Sequence, residues 1–149
     1  MEIPLTVVAP AKATVGRRVI AYLVDFAVSL FFSGAVGVLF GDSKVVAGAM
    51  MAAYWLLRDA GGESIGKMVC RLTVVDEQGG PATTRARVMR NSTLAIGPAL
   101  WMLPGVGIYF AGPVGGLVLL VEIFNLAVNG RRVGDSVAKT DVATAPYLA

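Results

Sequence analysis

The side chains best suited to chemistry are polar groups embedded in two long apolar runs. In the first run, four of them recur at steps of four, three and four: Arg18, Tyr22, Asp25 and Ser29. In the last run, three recur at steps of three and four: Glu122, Asn125 and Asn129. Such spacing puts each set on one face of a helix. A charge at mid-depth in a membrane costs ~2.5 kcal/mol or more. We therefore predict that both faces point into a helical bundle.

Asp25 and Glu122 each stand six residues inside the end of their run, a depth of ~9 Å. If the two carboxyls are close, repulsion and desolvation favour protonation of one of them, and the pair could bind a cation or couple ion movement. The alternative is a helix-to-helix hydrogen bond, with each carboxyl neutral or paired to an arginine. Contact with lipid or a partner is a third reading. Arg18 lies ~10 Å along the helix axis from Asp25, so each should find its partner on another segment.

The composition argues against several other kinds of chemistry. The chain has no histidine and one cysteine, Cys70, which removes the usual zinc sites and histidine acid–base catalysis. No nucleophile–base pair, metal cluster or cofactor motif stands out, so we predict neither an enzyme nor a bound cofactor. A net charge of +3 is too small to indicate nucleic-acid binding.

The polar residues sit in a chain that is 56% hydrophobic and 15% charged, where soluble domains carry about 25% charged residues. We predict an all-α membrane protein, a four-helix transmembrane bundle with spans near 19–40, 45–57, 84–103 and 108–128. The second run is short for a span. Segments 69–75 and 137–143 are strand-like. The membrane domain covers 15–144, between a flexible tail at 1–14 and a short tail at 145–149. No internal repeat is evident.

Charge asymmetry predicts the orientation of the four spans. Of 13 basic residues, 12 fall on the side that holds both termini, and only Lys44 falls on the other. The positive-inside rule then places both termini in the cytoplasm. Three of the basic residues, Arg85, Arg87 and Arg90, could bind anionic lipid head groups or serve only as a topology signal.

Three motifs follow one another along residues 15–144. The first is Arg17–Asp25 (RRVIAYLVD), the second is Gly62–Lys67 (GESIGK) with Arg71–Val75 (RLTVV), and the third is Asp135–Val142 (DSVAKTDV). In this order they resemble the RDD family of bacterial integral membrane proteins, named for one arginine and two aspartates. Carried over, these are Arg18, Asp25 and Asp135.

The resemblance implies a multi-pass protein of the bacterial cytoplasmic (inner) membrane, with transport roles and sodium/proton exchange proposed for some members. It also implies that Asp135 folds back toward Arg18, and the two strand-like segments could pair there.

Two functions are compatible with these observations. The first is a transport-associated protein, with Asp25 titrating, Glu122 as auxiliary acid, Asn125 in the same stripe, and Arg18 and Asp135 completing a polar site for cation/proton exchange. The second is an accessory or scaffolding subunit of a larger membrane complex. Four short spans enclose little space, which favours a complex or a homo-oligomer within the lipid bilayer.

Overall fold

The computed structural model describes residues 11–41 and 43–145. In this part of the chain, helices α1 to α6 and strands β1 and β2 follow in the order α1 (Val15–Phe40), α2 (Lys44–Leu57), α3 (Ile65–Val69), β1 (Leu72–Asp76), α4 (Thr84–Leu100), α5 (Gly107–Asn129), α6 (Val133–Val137) and β2 (Thr140–Thr144). The four longer helices form the bundle: α2 packs on α1 and α4, and α5 packs on α4. The short helices and the strands lie at one end.

Two of the described helices, α1 and α5, are long and apolar enough to cross a membrane. Their large side chains are exposed, as with Leu23 at 57% and Phe124 at 69%, which suits a surface covered by lipid. The 14-residue α2 is apolar but shorter, and α4 begins with a basic turn. The mostly helical fold is therefore confirmed, whereas crossing by all four helices stays a prediction.

Helix α4 ends three residues before the predicted boundary at residue 103. Pro98 lies inside the helix and Pro104 follows it, and proline disfavours continued helix before and around itself. From Trp101 to Leu103 the chain instead has hydrogen bonds of the 3₁₀ type. Each amide there donates to the carbonyl three residues earlier, at 3.1–3.2 Å.

The strands begin three residues later than the predicted segments 69–75 and 137–143. Each prediction mistook the end of a short helix, α3 or α6, for the first residues of a strand. Arg71 and Lys139 separate helix from strand, both with φ of 52° in the left-handed region. The two strands pair in antiparallel fashion, with Val74 opposite Val142 at the centre.

The structure contains a repeat that the sequence does not reveal. The N-terminal half (α1, α2, α3, β1) and the C-terminal half (α4, α5, α6, β2) have the same order of elements. The chain before each half bonds to the other half's strand: Ala13 N–H donates to the Val142 carbonyl at 3.0 Å, and Ala82 N–H to the Val74 carbonyl at 3.2 Å. The halves are thus related by a pseudo-twofold axis through the strand pair. Residues 11–13, predicted to belong to a flexible tail at 1–14, lie against β2, and Thr14 caps α1. Residues 1–10 and 146–149 fall outside the described residues.

Candidate functional site: a charged layer at one end of the bundle

Ionisable side chains are gathered at the end of the bundle that carries the strand pair. We call this set the charged layer, and its members are almost completely buried: Arg18, Asp25, Arg58, Asp59, Lys67, Arg90, Glu122, Arg132 and Asp135. Buried charges are costly unless they are paired and hydrogen-bonded, so the partners of each acid decide what it can do.

Asp25 is 1% exposed and its two oxygens are fully engaged. Oδ2 pairs with Arg58 Nη1 at 2.8 Å and accepts from Ser64 Oγ at 2.7 Å. Oδ1 accepts from the Gly66 N–H at 2.8 Å and from Tyr54 Oη at 3.3 Å. Asp25 thereby joins α1 to the end of α2 and to the first turn of α3.

Gly66 allows this approach because it has no side chain. A Cβ built there would overlap the Ala21 carbonyl oxygen and stand 2.9 Å from Asp25 Cγ. Real Cβ atoms do not come that close, so α3 can lie on α1 only with glycine at this position. Residue 66 is therefore part of the carboxylate's environment.

Asp59 follows α2 and is completely buried. Its Oδ1 pairs with Lys67 Nζ at 2.5 Å and accepts from the Ser64 N–H at 3.1 Å, and its Oδ2 accepts from Asn91 Nδ2 at 2.9 Å. These contacts join the loop before α3 to α4. Burial alone would raise the pKa of Asp59, but Lys67 and Arg58 outweigh it and lower that pKa below its usual range.

Asp135 in α6 is surrounded by three guanidinium groups. Arg90 Nη2 lies 2.6 Å from its Oδ1, Arg132 Nη2 3.1 Å from the same atom, and Arg18 Nη1 3.6 Å from Oδ2. Against the effect of burial, Arg132 and Arg90 lower the pKa of Asp135 well below its usual range. Arg18 also pairs with Asp141 on β2 at 2.5 Å. The predicted return of Asp135 toward Arg18 is thus observed.

Glu122 on α5 is 2% exposed and has a different set of partners. Thr93 Oγ1 donates to it at 2.5 Å, and the N–H groups of Val133 and Gly134 donate at 2.9 and 3.2 Å. Among the described residues no basic side chain lies within ion-pair distance of Glu122. Gly134 holds α6 against α4 in the way that Gly66 holds α3 against α1, because a Cβ built at residue 134 would overlap the Arg90 carbonyl oxygen.

A cavity of about 210 Å³ lies in the middle of the charged layer. Five basic side chains and two acids line it: Arg18, Arg58, Lys67, Arg90, Arg132, Asp25 and Glu122. Four buried guanidinium nitrogens of these residues have no hydrogen-bond partner in the described part of the chain: Arg18 Nε, Arg58 Nε, Arg90 Nε and Arg90 Nη1. Unpaired buried donors are rare in native proteins, so each calls for a physical explanation, such as strain, a functional role or a bound water or ion.

The predicted site residues separate into three groups. Arg18 and Asp135 are in contact, as described above. Asp25 and Glu122 border the same cavity, yet each bonds to its own set of donors. Asn125 lies outside the charged layer, and its side chain accepts a hydrogen bond from Asn129.

The predicted lipid-binding arginines also do not act as one surface. Arg85 is exposed, Arg87 pairs with Glu63 at 3.0 Å, and Arg90 is buried against Asp135. The three arginines therefore do not form one continuous surface, because successive positions on α4 face different surroundings, and their binding of anionic head groups stays a prediction.

Several residues of the charged layer were absent from the predicted site: Arg58, Asp59, Lys67, Arg90 and Arg132. Their partners and those of the other acids were absent too: Ser64, Asn91, Thr93 and Asp141. Some signals existed. Ser64 begins α3 as its N-cap, and Lys67 stands in the motif that carried the family resemblance. Their partners come from segments far apart in the chain, so spacing alone could not pair them.

Among the described residues, no group of three or more histidine, cysteine, aspartate or glutamate side chains could hold a metal ion. A search of curated proteins and a search of solved structures both find no match. The model of the RDD family matches residues 12–139, which include helices α1 to α6, strand β1 and every member of the charged layer. The chain therefore belongs to the RDD family, as the resemblance of its motifs implied.

Proposed function

We propose that this chain is a transport-associated membrane protein whose charged layer binds an anion. The observation that carries the proposal is the set of four unpartnered guanidinium nitrogens on Arg18, Arg58 and Arg90, three arginines that line one cavity. Each buried N–H without a partner costs about 1–3 kcal/mol, so a ligand that accepts these bonds has a large advantage over an empty cavity. Arginine is the side chain best suited to hold carboxylate or phosphate oxygens in pairs.

The acids that border the cavity do not oppose an anion as strongly as their number implies. Asp25 already accepts four hydrogen bonds, one of them charge-assisted, and Glu122 accepts three. Asp59 and Asp135 lie behind Lys67 and Arg90 and do not line the cavity. The free donors therefore belong to arginines.

The proposal includes a location. We place the charged layer on the cytoplasmic side of the bacterial inner membrane, with all four longer helices crossing. The support is the sequence asymmetry of basic residues, together with Lys44 at the opposite end of the bundle from the strand pair.

Thermal unfolding of the purified protein in a neutral detergent tests anion binding. We expect inorganic phosphate to raise the unfolding temperature relative to chloride at equal ionic strength, because a folded-state ligand adds RT ln(1 + [L]/Kd). Arg90→Gln should abolish the rise, and Arg90→Lys, which keeps the charge but loses the planar fork, should reduce it. The matched control is Arg85→Gln, an exposed arginine on the same helix. A phosphate effect that survives in Arg90→Gln would contradict the proposal.

Cation/proton exchange is a second candidate, because Asp25 and Glu122 are both buried at the same cavity. Proteoliposomes with a sodium gradient and an internal pH dye would report it. Sodium-driven proton flux that is lost in Asp25→Asn at unchanged folded amount would favour exchange over anion binding. A stoichiometric foreign protein that copurifies in mild detergent would instead favour an accessory subunit.

A further inference from the structure

We infer that the ligand is a phosphate-bearing lipid, with its head group in the charged cavity and an acyl chain in an adjoining apolar cavity. This inference rests on the proposed anion site and adds the chemical class of its ligand. A free phosphate and a lipid phosphate offer the arginines the same oxygens, so the evidence for a lipid must come from the surroundings of the charged cavity.

The apolar cavity lies next to the charged one, nearer the other end of the bundle. It has a volume of about 420 Å³ and lies between α1, α2, α4 and α5. The two cavities share three residues in their walls: Tyr22, Leu94 and Leu119. A molecule that is charged at one end and apolar at the other could therefore occupy both.

The two cavities differ in the ionised residues of their walls, although most of the surface that lines either cavity is apolar. None of the described side chains that line the apolar cavity carries a charge, and most of them are aliphatic, aromatic or glycine. In contrast, seven residues of the charged cavity are ionised types. Ligand sites with this division orient an amphiphile, because burying an apolar chain beside charges, or a phosphate beside leucines, would be unfavourable.

A side opening allows a lipid to enter from the bilayer. Leu23 on α1 and Ile123 on α5 belong to the wall of the charged cavity, yet they are 57% and 48% exposed. Helix α1 packs on α2 and α3, while α5 packs on α4 and α6. The space between α1 and α5 is therefore the edge through which the cavity meets the surface that lipid would cover.

Two glycines provide a way to fill the apolar cavity without disturbing the charged one. Gly112 and Gly116 on α5 line it, and a Cβ built at either position meets nothing within 4 Å. Leucine at both positions should occupy the part of the apolar cavity in which we place the acyl chain. Gly34→Leu on α1 is the matched control, since a Cβ there also meets nothing and the residue lines neither cavity.

The experiment measures which lipid stays with the protein. The full chain is reconstituted in phosphatidylcholine vesicles that contain phosphatidate as about one tenth of the lipid, extracted in a neutral detergent, washed, and analysed by mass spectrometry. We expect phosphatidate to be enriched over its share of the vesicle in the wild type. Retention should fall at least about tenfold in Arg90→Gln and in the Gly112→Leu/Gly116→Leu variant. Arg85→Gln and Gly34→Leu should stay within about twofold of the wild type.

The change in unfolding temperature on adding inorganic phosphate distinguishes failure of the lipid inference from failure of the anion site. If the double leucine variant keeps this response but loses phosphatidate, the head group and the chain occupy separate cavities, as inferred. If phosphate stabilises the protein but phosphatidate is not enriched, or if the leucines leave retention unchanged, the lipid inference is overturned and the anion site stands. If neither phosphate nor phosphatidate binds, both proposals fail.

Discussion

The two halves of the bundle solve the same structural problem with different residues. In each, a short helix is wedged by a glycine against a longer helix, and a carboxylate accepts its amide groups. In the N-terminal half the carboxylate is Asp25 of α1; in the C-terminal half it is Glu122 of α5. The position on α4 that corresponds to Asp25 is occupied by Leu94. Each residue stands at the same distance in sequence from the N-cap of its helix, Thr14 or Thr83. Both halves therefore have a glycine at the contact between the short and the long helix, and a carboxylate that accepts from the short helix. They differ in which helix carries that carboxylate.

Charge distinguishes the two arrangements. Asp25 pairs with the Arg58 guanidinium, which also lies over the Trp55 ring with its central carbon 4.4 Å from the ring centre. Glu122 accepts only neutral donors among the described residues. The N-terminal half therefore depends on an ion pair where the C-terminal half depends on hydrogen bonds, and variants at matching positions can test that difference.

The largest loss of stability is expected at the glycine that both halves place between the short and the long helix. Gly66→Ala and Gly134→Ala each force a methyl group into a backbone carbonyl, so each should destabilise the fold by about 3 kcal/mol or more. Unfolding in SDS, followed by tryptophan fluorescence, measures the loss. Gly34→Ala, where a Cβ meets nothing, should be neutral or stabilising. If only one of the two wedge variants is destabilised, the halves are not equivalent.

A smaller effect is the difference in stability loss between the variants of the two carboxylates. Asp25→Asn leaves the buried Arg58 charge without its partner, which typically costs 3–5 kcal/mol. Glu122→Gln weakens three hydrogen bonds to neutral donors and strands no charge within ion-pair distance, so we expect a loss of about 1–2 kcal/mol. The same SDS titration measures both. Equal losses would show that the ion pair adds nothing to the N-terminal half.

The smallest effect is the dependence of folding stability on pH, to which an acid from each half should contribute. The pKa values of Asp59 and Asp135 are lowered on folding, so each contributes stability above the unfolded pKa of about 4 and loses it as the pH falls through the folded value. Wild-type stability should therefore decline below about pH 4.

Removing either acid should flatten that decline by about 1.4 kcal/mol for each pKa unit involved. Asp59→Asn and Asp135→Asn are compared with Asp76→Asn, which sits at the end of β1, by unfolding temperature between pH 7 and pH 3. A decline that keeps its full steepness in both variants would contradict the assignment of low pKa values to these two acids.

The sequence alone predicted the buried face of α1 well. Arg18, Asp25 and Ser29 are all buried, because a polar group in an apolar run has few alternatives to the bundle interior. The same reasoning misplaced Asn125. Three residues advance a helix by about 300°, so Asn125 is turned some 60° from Glu122, which is enough to leave it bonded to Asn129 outside the charged layer.

The partners of the buried acids could not be predicted in the same way. Arg58 meets Asp25 from 33 positions along the chain, and Asn91 meets Asp59 from 32. These distances in sequence are set by how α2, α3 and α4 pack, which depends on glycine wedges and shape rather than on periodicity. The repeat was hidden for the same reason, since the halves share backbone geometry but few side chains.

Arg18 has a consequence for the biosynthesis of the protein. Its acidic partners, Asp135 and Asp141, are synthesised more than a hundred residues after Arg18, which enters with α1. Until translation has passed residue 135, this guanidinium has neither of its acidic partners and must remain at the lipid head groups, in water, or with another acid. Translation arrested before residue 135 should leave α1 inserted less deeply, with the residues around Arg18 open to labelling reagents.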